Sequence, residues 1–393
     1  MFKLGPNFIS GWIDRPASEA PSAVSLYLNG VQISETYAAR DHAVDGGVRP
    51  IGFSFGVKKL WPMLGAGDVL EVRQGDQSID IEGHGARLVL HEPATSRSAE
   101  VLKRLRKGGV LDRAGGVRTP LADSPQWVDN VFDLYETLGE IVQRVTGASL
   151  ELAYGTLLGC VREGDFIRHD DDFDSLYISR HSTPEAVTEE FARLFQAITD
   201  AGLLVRFGAH GANVMVVSRP DSRASIDIFY GWFNDAGELG LSYGWHGRPV
   251  HRSETLGEPA VATLAGRSVA IPAFAESLLE QKYGAGWRVP DHGFAHKSDT
   301  RRTDKRFYLD KHRAQNLYWN AFYARNTLTE ASTFARLVVD SLPMDGLVID
   351  IGCGTGKDTN FFAGQGREAI GADASAQGVA NAAALGAELK LER

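Results

Sequence analysis

The chain has 393 residues, with 50 Asp or Glu against 41 Lys or Arg and a formal net charge of -9. At roughly 100 to 200 residues per domain, that length implies two or three domains, each burying its own core. The acidic balance argues against a general binder of nucleic acid or anionic membrane. No run of about 18 or more apolar residues occurs, and "MFKLGPNFISGWIDRPASEA" lacks a continuous apolar segment, so neither a spanning helix nor export is indicated and a cytoplasmic location is expected. Cys160 and Cys353 fall in different expected domains, which supports neither a disulfide nor a zinc site; both are expected reduced and buried.

From Gly11 to about Leu90, short alternating runs such as "SLYLNGVQIS", "GFSFGV", "DVLEVRQG" and "SIDIEG" are separated by turn residues, and Asn29-Gly30 is a hairpin signal. Residues 1–95 are therefore expected to form an all-β sandwich, an accessory domain or spacer. Residues 96–123 read as a helix and a Gly-rich linker; within them Ser98 to Arg118 is locally basic.

Residues 124–306 read as a central α/β unit with a mixed sheet. Ser124-Pro125 supplies an N-cap followed by proline at the first helical position, and Val128, Val131, Tyr135, Leu138, Val142 and Val145 recur at helical spacing up to about Thr146. "LELAYGTLLG" and "FDSLYIS" look like strands, and "STPE" (Ser182 to Glu185) is a capping box opening a helix with Val187, Phe191, Leu194, Phe195 and Ile198 on one face. "LLVRFG", "ANVMVVS" and "ASIDIFYGWF" supply further strands.

Residues 307–393 hold an aromatic helix, "RAQNLYWNAFYARN", then "EASTFARLVVDSL" and "GLVIDIGCGTGKDTNFFAGQGREAIGADAS". Strand, Gly-rich turn, helix and a second strand ending in an acid predict a partial Rossmann-like α/β unit.

The chemistry concentrates in "GDFIRHDDDFDSLYIS", where Asp170, Asp171, Asp172 and Asp174 crowd together. With Phe173 mid-strand, alternation puts Asp170, Asp172 and Asp174 on one face and Asp171 on the other. Adjacent carboxylates repel as they ionise, and a divalent cation held by hard oxygen ligands relieves that repulsion; Mg²⁺ is the expected ion. Asp227 sits between Ile226 and Ile228, where a strand expects apolar residues, and a buried charge there needs a partner or a cation. Upstream, Gly155 and Thr156 form a Gly-hydroxyl pair that lets backbone amides approach a phosphate, and Arg162 adds a fork suited to phosphate oxygens. Lys282 reads as a surface helix residue. His292, His296, Lys297, Arg301 and Arg302 read as a solvated connector or a basic lip.

"YGTLLGCVREGDFIRHDDDFDSLYIS" resembles the signature of the LicD/fukutin family of nucleotidyltransferase-fold enzymes, and "IPAFAESLLEQKYGAGWRVPD" resembles the same family's closing segment; together the likeness spans Trp127 to Phe294. The resemblance implies Mg²⁺ (or Mn²⁺) held by Asp172, Asp174 and Asp227, with Asp170 close by and Gly155 and Thr156 at the phosphate-holding turn. It also implies transfer of a phosphoalcohol from a CDP-linked donor to a sugar hydroxyl of a glycan or polysaccharide, with release of CMP. Either Asp227 or Asp170 would take the hydroxyl proton. The family commonly has Pro-Trp before the acids where this chain has Arg168-His169, which puts these two residues beside the substrate and leaves specificity open. Nucleotidyl transfer would use the same acids, and a non-catalytic glycan binder is a further alternative. Peripheral association with a membrane-bound polysaccharide assembly is compatible with either activity.

"VIDIGCGTG" followed by "AIGADAS" resembles class I methyltransferases that use S-adenosylmethionine, implying Asp350, Gly352, Gly354, Gly356 and Asp373 as cofactor contacts. Few strands follow before Arg393, so this part is expected to be truncated and unable to methylate; a methyltransferase served by glycan-binding front domains is the third reading.

Overall fold

The computed structural model describes residues 2–14, 22–38, 40–41, 50–81, 84–168, 170, 172–208, 211–243, 255–290, 304–343 and 345–385. In the front part, β1 (Phe2–Leu4), β2 (Phe8–Asp14), β5 (Arg40–Asp41) and β6 (Pro50–Gly56) form an antiparallel sheet in the order β1-β2-β6-β5. A second antiparallel sheet holds β3 (Ser22–Leu28), β4 (Val31–Ala38), β7 (Val69–Gln74), β8 (Gln77–Ser78) and β9 (Leu88–Val89). The period of two in β3 turns Val24, Leu26 and Leu28 into a core shared with Ile9, Phe53 and Phe55 of the other sheet. Asn29 and Gly30, both at positive φ, close the β3–β4 turn.

The segment expected to link the units forms α1 (Ser98–Arg106) and a small hairpin of β10 (Val110–Leu111) and β11 (Val117–Arg118). Val101, Leu102 and Leu111 join the front core.

The central part begins with α2 (Pro125–Thr146), capped by the Ser124 hydroxyl accepting from the Trp127 N–H at 3.4 Å. It continues with β12 (Glu151–Leu152), α3 (Tyr154–Glu163), β13 (Asp174–Ile178), α4 (Pro184–Asp200), β14 (Leu204–Gly208), β15 (Gly211–Ser218), β16 (Ser225–Phe233) and β17 (Leu239–Leu241). The sheet runs β12-β13-β16-β15-β14 with β17 beside β16; β13 and β16 are parallel and the other pairs antiparallel. A hairpin of β18 (Ala260–Leu264) and β19 (Arg267–Ile271) and the helix α5 (Ala275–Tyr283) complete it. The expected inner face of α4, from Val187 to Ile198, is fully buried.

Three local expectations are corrected. "YGTLLG" is helical, because α3 is buried along its first two turns and a short, uniformly apolar run carries no periodicity to separate helix from strand. Asp170 to Phe173 precede β13 rather than lying within it. The cap of α4 is Thr183, whose hydroxyl accepts from the Ala186 N–H at 3.3 Å, rather than Ser182.

The last part contains α6 (Lys311–Arg325), α7 (Thr333–Val338), β20 (Leu347–Ile351), α8 (Lys357–Gly364), β21 (Glu368–Ala372) and α9 (Ala376–Ala384), with β20 and β21 paired in parallel. Ala335, Val339, Phe362 and Ala369 make a small separate core. The free thiols Cys160 and Cys353 are both buried. Among the described residues, no helix is long and apolar enough to cross a membrane.

Candidate active site

The parallel pair β13–β16 sets Asp174 directly beside Asp227. Neighbours on adjacent strands lie about 4.8 Å apart with side chains on the same face, so the two carboxylates share one wall. Ile226 and Ile228 point away into the core, as the alternation requires. The end of β13 is fixed from α3: the Gly155 N–H donates to Asp174 Oδ2 at 3.0 Å, and the Asp174 N–H donates to Thr156 Oγ1 at 2.8 Å. On the other strand, Asp227 N–H donates to the Phe173 carbonyl at 2.8 Å, while the Ser175 hydroxyl donates to the Asp227 carbonyl at 2.9 Å. Phe173, fully buried against Tyr135 with ring centroids 5.3 Å apart, anchors the acidic segment.

Asp170, Asp172, Asp174 and Asp227 line one cavity of about 620 Å³ together with Gly155. A Cβ on Gly155 would stand 2.3 Å from Asp170 Oδ2, so only glycine allows this approach of helix to acid. Burial pushes the Asp174 carboxyl well above its ordinary range, and Asp172, Asp170 and Asp227 push it further; the Gly155 N–H opposes them. Repulsion of this kind, on an all-oxygen wall, fits a hard divalent cation. Among the described residues no three acids, histidines or cysteines are gathered as a complete ligand set. Mg²⁺ does not demand one, since it is usually held by one or two carboxylates with water and substrate phosphate completing the shell.

Aromatic residues line the cavity together with the acids. Tyr154, at φ 39°, opens α3 in the left-handed region and donates from its hydroxyl to the Tyr243 carbonyl at 2.9 Å. Its ring meets Phe229 edge-on at 4.6 Å, and Tyr243 and Tyr283 continue the lining. Lys282 is not the solvated helix residue expected: its ammonium donates to the Tyr243 carbonyl at 2.5 Å and lies 4.9 Å from the centroid of Tyr154. Burial pushes it down to about 8.

The remaining expected residues are distributed differently. Gly155 and Thr156 spend an amide and a hydroxyl on Asp174, so both position the acid, and of the two only Gly155 lines the cavity. Arg162 pairs with its neighbour Glu163 at 2.5 Å, and Arg168 pairs with Asp123 at 3.1 Å; neither lines the cavity. His169 and Asp171, and the basic segment His292, His296, Lys297, Arg301 and Arg302, lie outside the described residues.

Several cavity residues carried no sequence signal for this role. Lys59, Arg113 and Arg118 come from the front part, and the Arg113 guanidinium is 3.6 Å from Asp170 Oδ1. The basic stretch Ser98 to Arg118 had been visible, but only the tertiary fold turns its second half towards the acids. Tyr154 and Tyr283 lay inside quoted motifs without being singled out.

In the last part, Gly352, Gly354 and Gly356 all have positive φ in the turn after β20. Asp373 accepts from the Gly354 N–H at 2.8 Å, and Asp350 accepts from the Thr359 hydroxyl at 2.8 Å. The space beside Gly354 is filled by the Tyr323 hydroxyl, which an added Cβ would meet at 2.2 Å.

Residues 147–273 match the family model described as LicD/FKTN/FKRP, nucleotidyltransferase domain. This span, which contains all four acids, is similar to that nucleotidyltransferase domain. No curated protein sequence matches the chain. Among solved structures, the chain is similar to one titled "Structure of STING-associated CdnE c-di-GMP synthase from Capnocytophaga granulosa", at 12% identity and a TM-score of 0.25, covering 53% of this chain and 71% of that one.

Proposed function

We propose that the protein transfers a phosphoalcohol group, of the phosphocholine or polyol-phosphate kind, from a CDP-linked donor to a sugar hydroxyl of a glycan, releasing CMP. The observation that carries this reading is the pairing of Asp174 with Asp227 on adjacent parallel strands, beside Asp170 and Asp172 in one cavity.

Asp172, Asp174 and Asp227 would hold Mg²⁺ or Mn²⁺, one or two of them directly with water and donor phosphate completing the shell, and the ion would supply neutralisation of the diphosphate and of the departing CMP. The chain's own residues do the rest. Gly155 and Thr156 hold Asp174 in place. Asp227 or Asp170 accepts the proton of the acceptor hydroxyl as its oxygen forms a bond to the phosphorus bearing the alcohol. The bond from that phosphorus to the bridging oxygen breaks, and the oxygen leaves with CMP. Tyr154, Tyr243 and Tyr283, which line the same cavity, would exclude water from the reacting phosphate. A location in the cytoplasm, at the inner face of a membrane where glycan is assembled, belongs to the same reading.

A thermal-shift panel of CDP-alcohols, CTP and S-adenosylmethionine, each with and without Mg²⁺, tests it, because a ligand that binds only the folded state raises its apparent stability. A CDP-alcohol should raise the transition in Mg²⁺ alone. A shift with CTP and none with any CDP-alcohol would favour nucleotidyl transfer, and a shift with neither would contradict both.

A further inference from the structure

The hairpin β10–β11 belongs to the front core yet faces the acids of the central part. Its loop is a built platform. Asp112 Oδ1 accepts from the Ala114 and Gly116 N–H groups, each at 2.9 Å, and Asp112 Oδ2 takes the Lys59 ammonium at 3.0 Å and the Arg118 guanidinium at 3.2 Å. The Lys59 N–H donates to the Ala114 carbonyl at 2.7 Å. A Cβ on Gly56 would fall 1.8 Å from the Arg113 carbonyl, so the loop lies flat on the end of β6. The Arg113 backbone is thereby fixed while its side chain reaches across to Asp170 at 3.6 Å.

Three cations against one acid give this wall a net positive charge opposite the four carboxylates. A second cavity of about 460 Å³ opens behind it, sharing Lys59, Asp112 and Arg118 with the first and continuing past Arg104 of α1. Lys59, Asp112 and Arg118 thus border both the cavity of the acids and a further chamber lined by the front part. A ligand that uses both chambers is long and carries negative charge beyond the reacting centre.

The geometry points to an anion-binding subsite for the acceptor: Arg113, Lys59 and Arg118 hold a phosphate or carboxylate of an acidic glycan while its hydroxyl meets the donor at the acids. This inference rests on the transfer reading above and makes the front part a working half of the site rather than a spacer.

The test uses the full chain and inorganic tripolyphosphate as the anionic probe, titrated calorimetrically in EDTA so that no divalent cation contributes. Loss of one charge-assisted contact should weaken the probe roughly tenfold in Arg113→Ala, with a smaller loss in Arg113→Lys and an unchanged melting temperature in both. In Mg²⁺, the affinity of CDP for Arg113→Ala should match that of the parent chain. Equal tripolyphosphate affinity in the parent and Arg113→Ala would overturn the subsite; an equal loss for CDP would overturn its assignment to the acceptor. Should Arg113→Ala melt early, Lys59→Gln takes its place with the same expectations. Mn²⁺ binding, followed by electron paramagnetic resonance, should survive in Arg113→Ala and vanish in Asp172→Asn; absence of Mn²⁺ binding in the parent would contradict the metal reading while leaving the EDTA titration to decide the subsite.

Discussion

Asp174 and Asp227 face each other across the parallel β13–β16 pair, held there by backbone hydrogen bonds and by α3, whose Gly155 amide and Thr156 hydroxyl are turned to Asp174. Two carboxylates so placed, one of them buried, repel each other unless a cation or a proton intervenes.

The metal-free protein should therefore lose stability as pH rises. Burial and three neighbouring acids hold the Asp174 carboxyl well above its ordinary range, so the folded state binds the extra proton, and the stability tied to it, complete at low pH, is lost as pH climbs through the raised value. Asp174→Asn keeps an acceptor for the Gly155 N–H and removes the charge. In EDTA at pH 8 this variant should melt above the parent chain, and Mg²⁺ should raise the melting temperature of the parent only.

A second pH effect is expected away from the site. Glu151 in β12 is pushed up to about 7 by burial, so stability falls between the ordinary carboxylate range and pH 7, by on the order of 3 kcal/mol in total. Glu151→Gln should abolish this slope. Urea unfolding at pH 5 and pH 8 measures it: the variant should weaken less than the parent, keeping only the share that Asp174 contributes.

Gly155→Ala should separate activity from folding. The new methyl would displace the Asp170 side chain, and misplacement of a reacting group by about 1 Å costs up to about 100-fold in rate. Turnover should fall by roughly 10- to 100-fold with a change in melting temperature of only about 2 °C or less, because the nearest atom displaced is the end of a side chain rather than backbone.

Thr156→Val should act through Asp174. The hydroxyl accepts from the Asp174 N–H inside the core, and leaving that donor unpaired costs about 1 to 3 kcal/mol. Denaturant titration should show that loss, and Thr156→Ser should recover most of it.

Much of this arrangement was legible in the sequence. Asp227 was conspicuous because a charge between Ile226 and Ile228 breaks a buried alternation, and α2 was bounded correctly because Ser124, Pro125 and a full helical stripe agree. Asp170, Asp172 and Asp174 do line one cavity, but only Asp174 lies in β13, and Asp170 and Asp172 come from ahead of the strand rather than by strand alternation. The helix α3 was missed because an apolar run buried on all sides has no periodicity to read. Arg113 could not be found from its neighbours: its position follows from Gly56 and Asp112 fixing a hairpin in one unit against an acid in another, a relation that exists only in three dimensions. Lys282 was misread for a similar reason, since its partner is a backbone carbonyl distant in sequence.

The most direct test of the central claim is phosphorus NMR of CDP-alcohols incubated with a glycan acceptor, in Mg²⁺ and in EDTA, for the parent chain, Asp172→Asn and Asp227→Asn. CMP and a new phosphodiester signal should form in Mg²⁺ with the parent chain alone. CMP formed at an undiminished rate in EDTA, or by both variants, would contradict that claim.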